Sequence, residues 1–254
     1  LNQVAKTIRK KRINKGAIIF DKSEIKFKLD EKNNPKEVVF KTAKSANKLI
    51  EEFMLLANRK VAEKMKKGKE RFVFRVHDQP DEEKLKNLQT VVKRLGYNLD
   101  LKKNNLNDSL NTLLENTFGK NEQNLIDTLM IRSMSKAEYT TKNIGHYGLA
   151  FDNYTHFTSP IRRYPDVLVH RLIEAELKNE KIKTEELETL CNHSTHMEIL
   201  ATKAERDSIK LMQIKYMLDK EGKIFEAVIS GVTARGVFVC LLYTSPSPRD
   251  SFRS

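Results

Sequence analysis

The sequence predicts a mixed α+β fold, and three observations support this. Apolar residues recur at helical spacing through several long segments, while two other regions alternate apolar with polar residues as strands do. Turn-forming residues separate these segments. The 254 residues are enough for one large domain, or for one domain plus part of another.

The first third of the chain is predicted to combine helices with short strands. A basic helix is expected over residues 1–15, and segment 16–42 alternates around an Asn-Asn-Pro turn, which predicts two or three strands. From Ser45 to Lys67 the apolar residues return at helical spacing, with Ser45 as the expected N-cap. The aromatic and β-branched run 72–77 predicts another strand.

The rest of the chain up to residue 218 is predicted to be mainly helical. Gly96 is the expected end of one helix, because glycine readily adopts the left-handed conformation that closes helices. Residues 184–218 are predicted to form either one helix or two. Helices are predicted over residues 82–95, 106–115, 122–134, 165–179 and 184–218.

The pattern changes again after Gly222. Residues 224–241 alternate like two strands joined by a glycine turn. Residues 241–254 are polar, rich in Pro and Ser, and do not continue that alternation. Two interpretations of this tail stay open, a non-native segment translated from an adaptor and a genuine disordered tail.

Net charge indicates which kinds of partner the chain would bind, and cysteine content indicates its cellular compartment. Lys and Arg total 47 against 34 Asp and Glu, giving a net charge of +13, which favours either nucleic acid or an anionic membrane surface. No uninterrupted run of about 20 apolar residues occurs, so no membrane span is predicted. Cys191 and Cys240 lack the spacing of a zinc site or a disulfide framework, which indicates a cytoplasmic setting.

The segment YTHFTSPIRRYPDVLVHR, residues 154–171, is the strongest candidate for function. Its Thr-Ser-Pro turn brings Arg162 and Arg163 to an expected helix start. Arginine forks bind phosphate oxygens two at a time, and a helix start adds unpaired N–H groups. The arrangement therefore predicts a phosphodiester contact. The alternative is a capped helix that carries two solvated arginines.

The run TSPIRRYPDVLVHR, preceded by HYGLAFDNYTHF at 146–157, resembles the signature of the ribonuclease II/R (RNB) family of 3′-to-5′ exoribonucleases. The resemblance implies an RNB catalytic-domain fold over residues 1–218, truncated at its N-terminus. Residues 222–240 resemble the first strands of an S1/OB β-barrel. RRYPD, together with AERD at 204–207, is closest to the ribonuclease R branch of the family.

The family's activity is hydrolysis of single-stranded RNA to nucleoside 5′-monophosphates with Mg²⁺. The resemblance places the Asp cluster that holds the metal before Leu1, so no metal ligand is expected in this chain, which should bind RNA without cleaving it. It implies a cytoplasmic monomer without membrane contact, whose further partners would be ribosomes or RNA-decay factors. Two rivals stay open: a catalytically inactive RNB-like RNA-binding or regulatory module, and a basic helical scaffold that binds ribosomes or acidic proteins.

The resemblance also implies roles for individual residues. Arg162 matches the catalytic arginine that contacts the scissile phosphate, whereas Arg163 is either a second phosphate contact or an ion-pair partner of Asp166. Phe20 matches an aromatic residue that stacks on terminal bases, although its alternation with Ile18 favours core packing.

Further RNA contacts are implied for five residues. Glu51 matches a glutamate that recognises ribose, and its alternative is a solvated helix acid. Tyr154 and His156 belong to the signature segment, where a histidine beside aromatic residues is often structural. Arg75 and His77 are expected to make phosphate or structural contacts.

Overall fold

A computed structural model describes residues 1–19, 24–68, 71–102, 106–120, 122–180, 184–218, 220–225, 227–233 and 236–241. Within these residues the chain forms seven α-helices and six β-strands, which confirms the mixed α+β class. Phe20 lies outside the described residues, and so do residues 242–254 of the predicted tail.

The helices follow the predicted apolar periodicity. The last of them is a single helix of 32 residues. Their bounds are α1 (Asn2–Asn14), α2 (Ser45–Met65), α3 (Glu82–Arg94), α4 (Leu106–Thr117), α5 (Gln123–Ser133), α6 (Tyr164–Lys178) and α7 (Leu187–Leu218).

The helix ends differ in detail from the sequence prediction. Ser45 is not the N-cap of α2; Lys44 is, with an extended backbone, because the Asn47 carboxamide reaches back and accepts a hydrogen bond from the Lys44 N–H at 3.0 Å. Gly96 follows the last residues of α3 with a φ of +85°, the left-handed conformation expected of a glycine at that position.

The described strands pair as three separate two-stranded antiparallel sheets. Strand β4 was not predicted, because the residues around it are mostly polar and no apolar run marks it; it forms through its pairing with β3, which lies far away in sequence. The β5–β6 hairpin agrees with the predicted strands, while its assignment to an S1 barrel stays a prediction. The strands are β1 (Glu24–Leu29), β2 (Pro35–Lys41), β3 (Phe74–Val76), β4 (Glu138–Thr140), β5 (Ala227–Thr233) and β6 (Gly236–Leu241).

Two apolar clusters form the main core. One joins β3 to α6, α7 and the end of α2, with Phe74, Val169 and Cys191 among its buried members. The other packs α3, α4 and α5 against one another. A smaller cluster of Leu55, Phe151 and Tyr154 fastens the signature segment to α2. Within the described ranges, no helix is both long enough and apolar enough to cross a lipid bilayer.

Candidate nucleic-acid interface

The predicted turn lies directly before α6. Arg163 is the N-cap residue of that helix, with an extended backbone, and Pro165 lies in its first turn. The backbone N–H groups of Arg162 and Arg163 both donate to the carbonyl oxygen of Ser159, at 3.3 and 3.1 Å. The sequence therefore placed both arginines correctly at a helix start.

Asp166 in the first turn of α6 holds this turn together. Its carboxylate is completely buried, and Oδ2 accepts hydrogen bonds from the Ser159 N–H at 2.7 Å and from Arg163 Nη2 at 3.1 Å. Arg163 Nε lies 2.9 Å from the other carboxylate oxygen. Arg163 therefore adopts the ion-pair alternative, with its fork directed at a buried carboxylate.

Arg162 has the opposite environment. Its side chain is exposed, and no acceptor among the described residues pairs with it. The two adjacent arginines thus separate, since Arg163 turns inward to Asp166 while Arg162 faces the surface. One permanently charged fork beside a helix N-terminus remains available to an anion.

Asn58 on α2 anchors the segment that leads into the turn. Its Oδ1 accepts hydrogen bonds from the N–H groups of Phe157 and Thr158 at 3.0 and 3.2 Å, and its Nδ2 donates to Tyr154 Oη at 3.0 Å. The sequence reasoning missed this residue. The available signal was an amide on the buried face of an amphipathic helix, at helical spacing from Leu55 and Ala62.

Four predicted RNA contacts belong to one connected group of side chains, but they are buried. Arg75, His77, Tyr154 and His156 are exposed by 5%, 1%, 0% and 1%. Their prediction as RNA contacts therefore gains no direct support, because side chains buried to this extent reach a bound strand only through the residues that they hold in place.

Arg75 and His156 meet at Tyr139 of β4. Arg75 Nη1 lies 2.6 Å from the Glu198 carboxylate of α7, and its guanidinium carbon lies 4.6 Å from the centre of the Tyr139 ring. The Tyr139 hydroxyl is 2.7 Å from His156 Nδ1. These contacts join β3, β4 and α7 to one another and, through His156, to the signature segment.

Two further histidines belong to the same layer. The His77 ring stacks on that of His146 with centroids 5.1 Å apart, and His77 Nδ1 accepts a hydrogen bond from the Gly148 N–H at 3.1 Å. The rings of His146 and Tyr154 form a T-shaped pair with their centroids 5.3 Å apart. His146 was not predicted as a site residue, because only the fold brings it onto His77.

Burial controls the charge of this layer. It lowers the pKa of His77 to about 4 and, together with neighbouring positive charges, holds the pKa of His146 and His156 well below the usual value. Burial also raises the pKa of Tyr139, so its phenol stays protonated. The imidazoles are therefore neutral at neutral pH, and the positive charge near the turn comes from arginine.

The two adjacent glutamates of α2, Glu51 and Glu52, also differ in their exposure. Glu51 is exposed, which agrees both with a ribose contact and with a solvated helix acid, so its role stays a prediction. Glu52 is 1% exposed and accepts from Arg12 Nη2 at 2.5 Å, with Arg9 Nη1 at 3.5 Å. Glu52 therefore fastens α1 to α2.

The part of the chain that the structure describes does not provide a metal centre. No group of three or more His, Cys, Asp or Glu side chains in the described ranges is arranged to hold a cation. The described residues therefore do not fit a Mg²⁺ site, whereas the exposed guanidinium of Arg162 can bind an anion.

Comparison with known proteins adds a family assignment to this geometry. Residues 1–179 match the family described as the RNB domain. Ribonuclease R of Aquifex aeolicus is 38% identical over 234 residues, which span 91% of this chain and 33% of that protein. The chain thus spans about a third of the length of the curated relatives that it matches.

Two solved structures resemble the fold closely. RNase R of Mycoplasma genitalium in complex with ribose methylated single-stranded RNA superimposes with a TM-score of 0.89 at 26% identity, over 96% of this chain and 39% of that chain. The same enzyme in complex with double-stranded RNA gives a TM-score of 0.87 at 26% identity, over 96% and 44% of the two chains.

Proposed function

Since this chain belongs to the RNB domain family, we propose that it forms part of a ribonuclease R-type enzyme that hydrolyses single-stranded RNA from the 3′ end to nucleoside 5′-monophosphates. The curated relatives are about three times longer, so this activity is proposed for the longer protein. The part proposed for these 254 residues is to bind the RNA backbone and to present Arg162 to the scissile phosphate.

The single observation that carries the proposal is the exposed guanidinium of Arg162 at the start of α6. The turn beneath it is held by the buried carboxylate of Asp166. A guanidinium carried by a fixed turn can donate two hydrogen bonds to phosphate oxygens, and it can stabilise negative charge that develops there. Lysine, as a point charge, would be a poor substitute.

Other RNA contacts belong to the proposal as well. Exposed Glu51 would accept a hydrogen bond from a ribose 2′-OH, which favours RNA over DNA. Phe20 would stack on bases of the threaded strand. The β5–β6 hairpin would open an S1 domain, and the protein would act as a cytoplasmic monomer with ribosomes or RNA-decay factors as further partners.

Mg²⁺ is proposed as the cofactor of the longer protein, where it would activate water and stabilise the leaving oxygen. The described residues do not fit a metal site, so we assign its ligands to a different part of that protein. We therefore expect the 254-residue chain to bind single-stranded RNA without releasing nucleotides from it. Mg²⁺-dependent nucleotide release by the purified chain, followed by chromatography, would contradict this assignment.

Binding by Arg162 can be tested with a fluorescently labelled single-stranded RNA at two salt concentrations. We expect Arg162→Ala to weaken binding about tenfold and Arg162→Lys to recover only part of that loss. Arg171→Ala is the matched control, because Arg171 is also an exposed arginine of α6. Equal losses for Arg162→Ala and Arg171→Ala would mean that the chain attracts RNA only through its overall charge, and the proposal would fail.

A further inference from the structure

The backbone before Arg162 is held mainly by side chains. The N–H groups of Phe157 and Thr158 donate to Asn58 Oδ1, and the next N–H along the chain, that of Ser159, donates to Asp166 Oδ2. A strand in a sheet would instead donate to neighbouring backbone carbonyls. The position of the turn therefore depends on a few side-chain atoms.

Asn58 is itself rigidly held. It is 2% exposed in the interior of α2, and its Nδ2 donates to Tyr154 Oη at 3.0 Å, which fixes the orientation of the amide. Tyr154 packs against Leu55 one turn earlier on the same helix. The acceptor oxygen of Asn58 is thus fixed relative to α2, and it transmits the position of that helix to the turn.

An asparagine suits this task because its carbonyl oxygen has two lone pairs and its NH₂ group is a donor. The oxygen accepts from two consecutive N–H groups, and the NH₂ group donates to Tyr154 Oη. Leucine has nearly the same shape but would leave both N–H groups without their acceptor. The segment would then have to move toward water to satisfy them.

We propose that Asn58 is a positioning residue for Arg162, and that α2 thereby sets the spacing between the exposed ribose contact Glu51 and the arginine that contacts phosphate. This inference rests on the proposed function. Asn58 does not touch RNA in this scheme. It acts by holding residues 157–158, so that the following turn presents the Arg162 fork in one place.

A double-mutant cycle tests the proposal on the 254-residue chain with a labelled single-stranded RNA. We expect Asn58→Leu to weaken binding about tenfold, as Arg162→Ala does. We expect the double variant to bind no more weakly than Arg162→Ala alone, because Asn58 acts through Arg162. Tyr154→Phe, a milder change that removes only the partner of the Asn58 amide, should cause a smaller loss that also disappears in the Arg162→Ala background.

Met65→Ala is the matched control. Met65 is another buried residue of α2, and it packs in the core formed with β3 and α6 without bonding to the turn. We expect this variant to lose stability yet to keep its RNA affinity. Hydrogen exchange should quicken in residues 157–163 of Asn58→Leu and stay as in wild type in Met65→Ala.

Several results would overturn the proposal. Wild-type affinity in folded Asn58→Leu would do so, and so would losses that multiply in the double variant. Should Asn58→Leu fail to fold, the test uses Tyr154→Phe instead, and wild-type RNA affinity of that variant would overturn the proposal. If Arg162→Ala itself binds RNA normally, the proposed function fails. The positioning role is then tested separately by hydrogen exchange, and unchanged exchange in residues 157–163 of Asn58→Leu would refute it.

Discussion

Removal of the Asp166 carboxylate should destabilise the whole chain, although the residue lies beside a surface turn. Asp166 is completely buried and binds both the Ser159 N–H and the Arg163 guanidinium. The Arg163 side chain is only 10% exposed, and Asp166→Ala would leave its positive charge without a carboxylate to pair with. It would also leave the Ser159 N–H without its acceptor.

The magnitude is worked from the larger of these losses, that of the ion pair. Breaking a buried ion pair by removing one partner costs about 3–5 kcal/mol. We take about 3 kcal/mol, the lower end, because the slight exposure of Arg163 lets water recover part of the loss. For a chain of this size, each kcal/mol lowers Tm by about 2–4 °C, so the expected decrease is about 6–12 °C. Asp166→Asn loses the negative charge but keeps an amide oxygen that can accept from the Ser159 N–H or from Arg163, so it should cost less than Asp166→Ala, about 2 kcal/mol.

Thermal unfolding followed by circular dichroism measures these shifts, and urea unfolding supplies the free energies. Glu174→Ala is the control, since Glu174 is an exposed carboxylate of the same helix that pairs with Lys178 at 2.7 Å. Exposed pairs contribute little, so its Tm should stay at the wild-type value. If Asp166→Ala unfolds at the same temperature as Glu174→Ala, the buried carboxylate does not hold the turn and the reasoning is wrong.

Two further predictions concern other buried groups. Arg12→Ala leaves Glu52 buried without the guanidinium that lies 2.5 Å away, and should cost about 3 kcal/mol by urea unfolding; a change below about 0.5 kcal/mol would contradict a structural role for the pair. Burial lowers the pKa of His77 from 6.5 to about 4, so the unfolded chain binds this proton more tightly. Stability should thus be intact above pH 6.5 and fall as pH decreases toward 4, by about 1.4 kcal/mol per pH unit for His77 alone and more steeply because buried His146 and His156 contribute in the same direction. Equal urea midpoints at pH 7 and pH 5 would refute this.

Much of the fold was readable from local pattern. The helix over Ser45–Met65 and the strand around Phe74 follow from the spacing of apolar residues, which records which face is buried. The strand Glu138–Thr140 was not readable, because the sequence around it, SKAEYTTKN, is mostly polar and contains no apolar run. It forms only where β3 supplies a partner, and Tyr139 then meets His156.

In the candidate site, too, features set by neighbouring residues were predictable from the sequence, whereas contacts between distant residues were not. The arginine turn was recognisable because Ser-Pro before an amphipathic run marks a helix start. The sequence also named Asp166 as a possible partner of Arg163, but it left a phosphate contact open, because the burial of the Asp166 carboxylate is not visible along the chain. Asn58 was missed for a related reason, since its partners are about 100 residues away.

The sequence by itself determined the helices, the basic charge and the arginine turn, because these depend on residues close together in the chain. Only the tertiary structure decided which polar groups are buried together. It paired Arg163 with Asp166, closed the amide of Asn58 onto the turn, and made His156 neutral beneath it. The physical reason is that burial and hydrogen bonding depend on distances in space, which apolar periodicity along the chain does not specify.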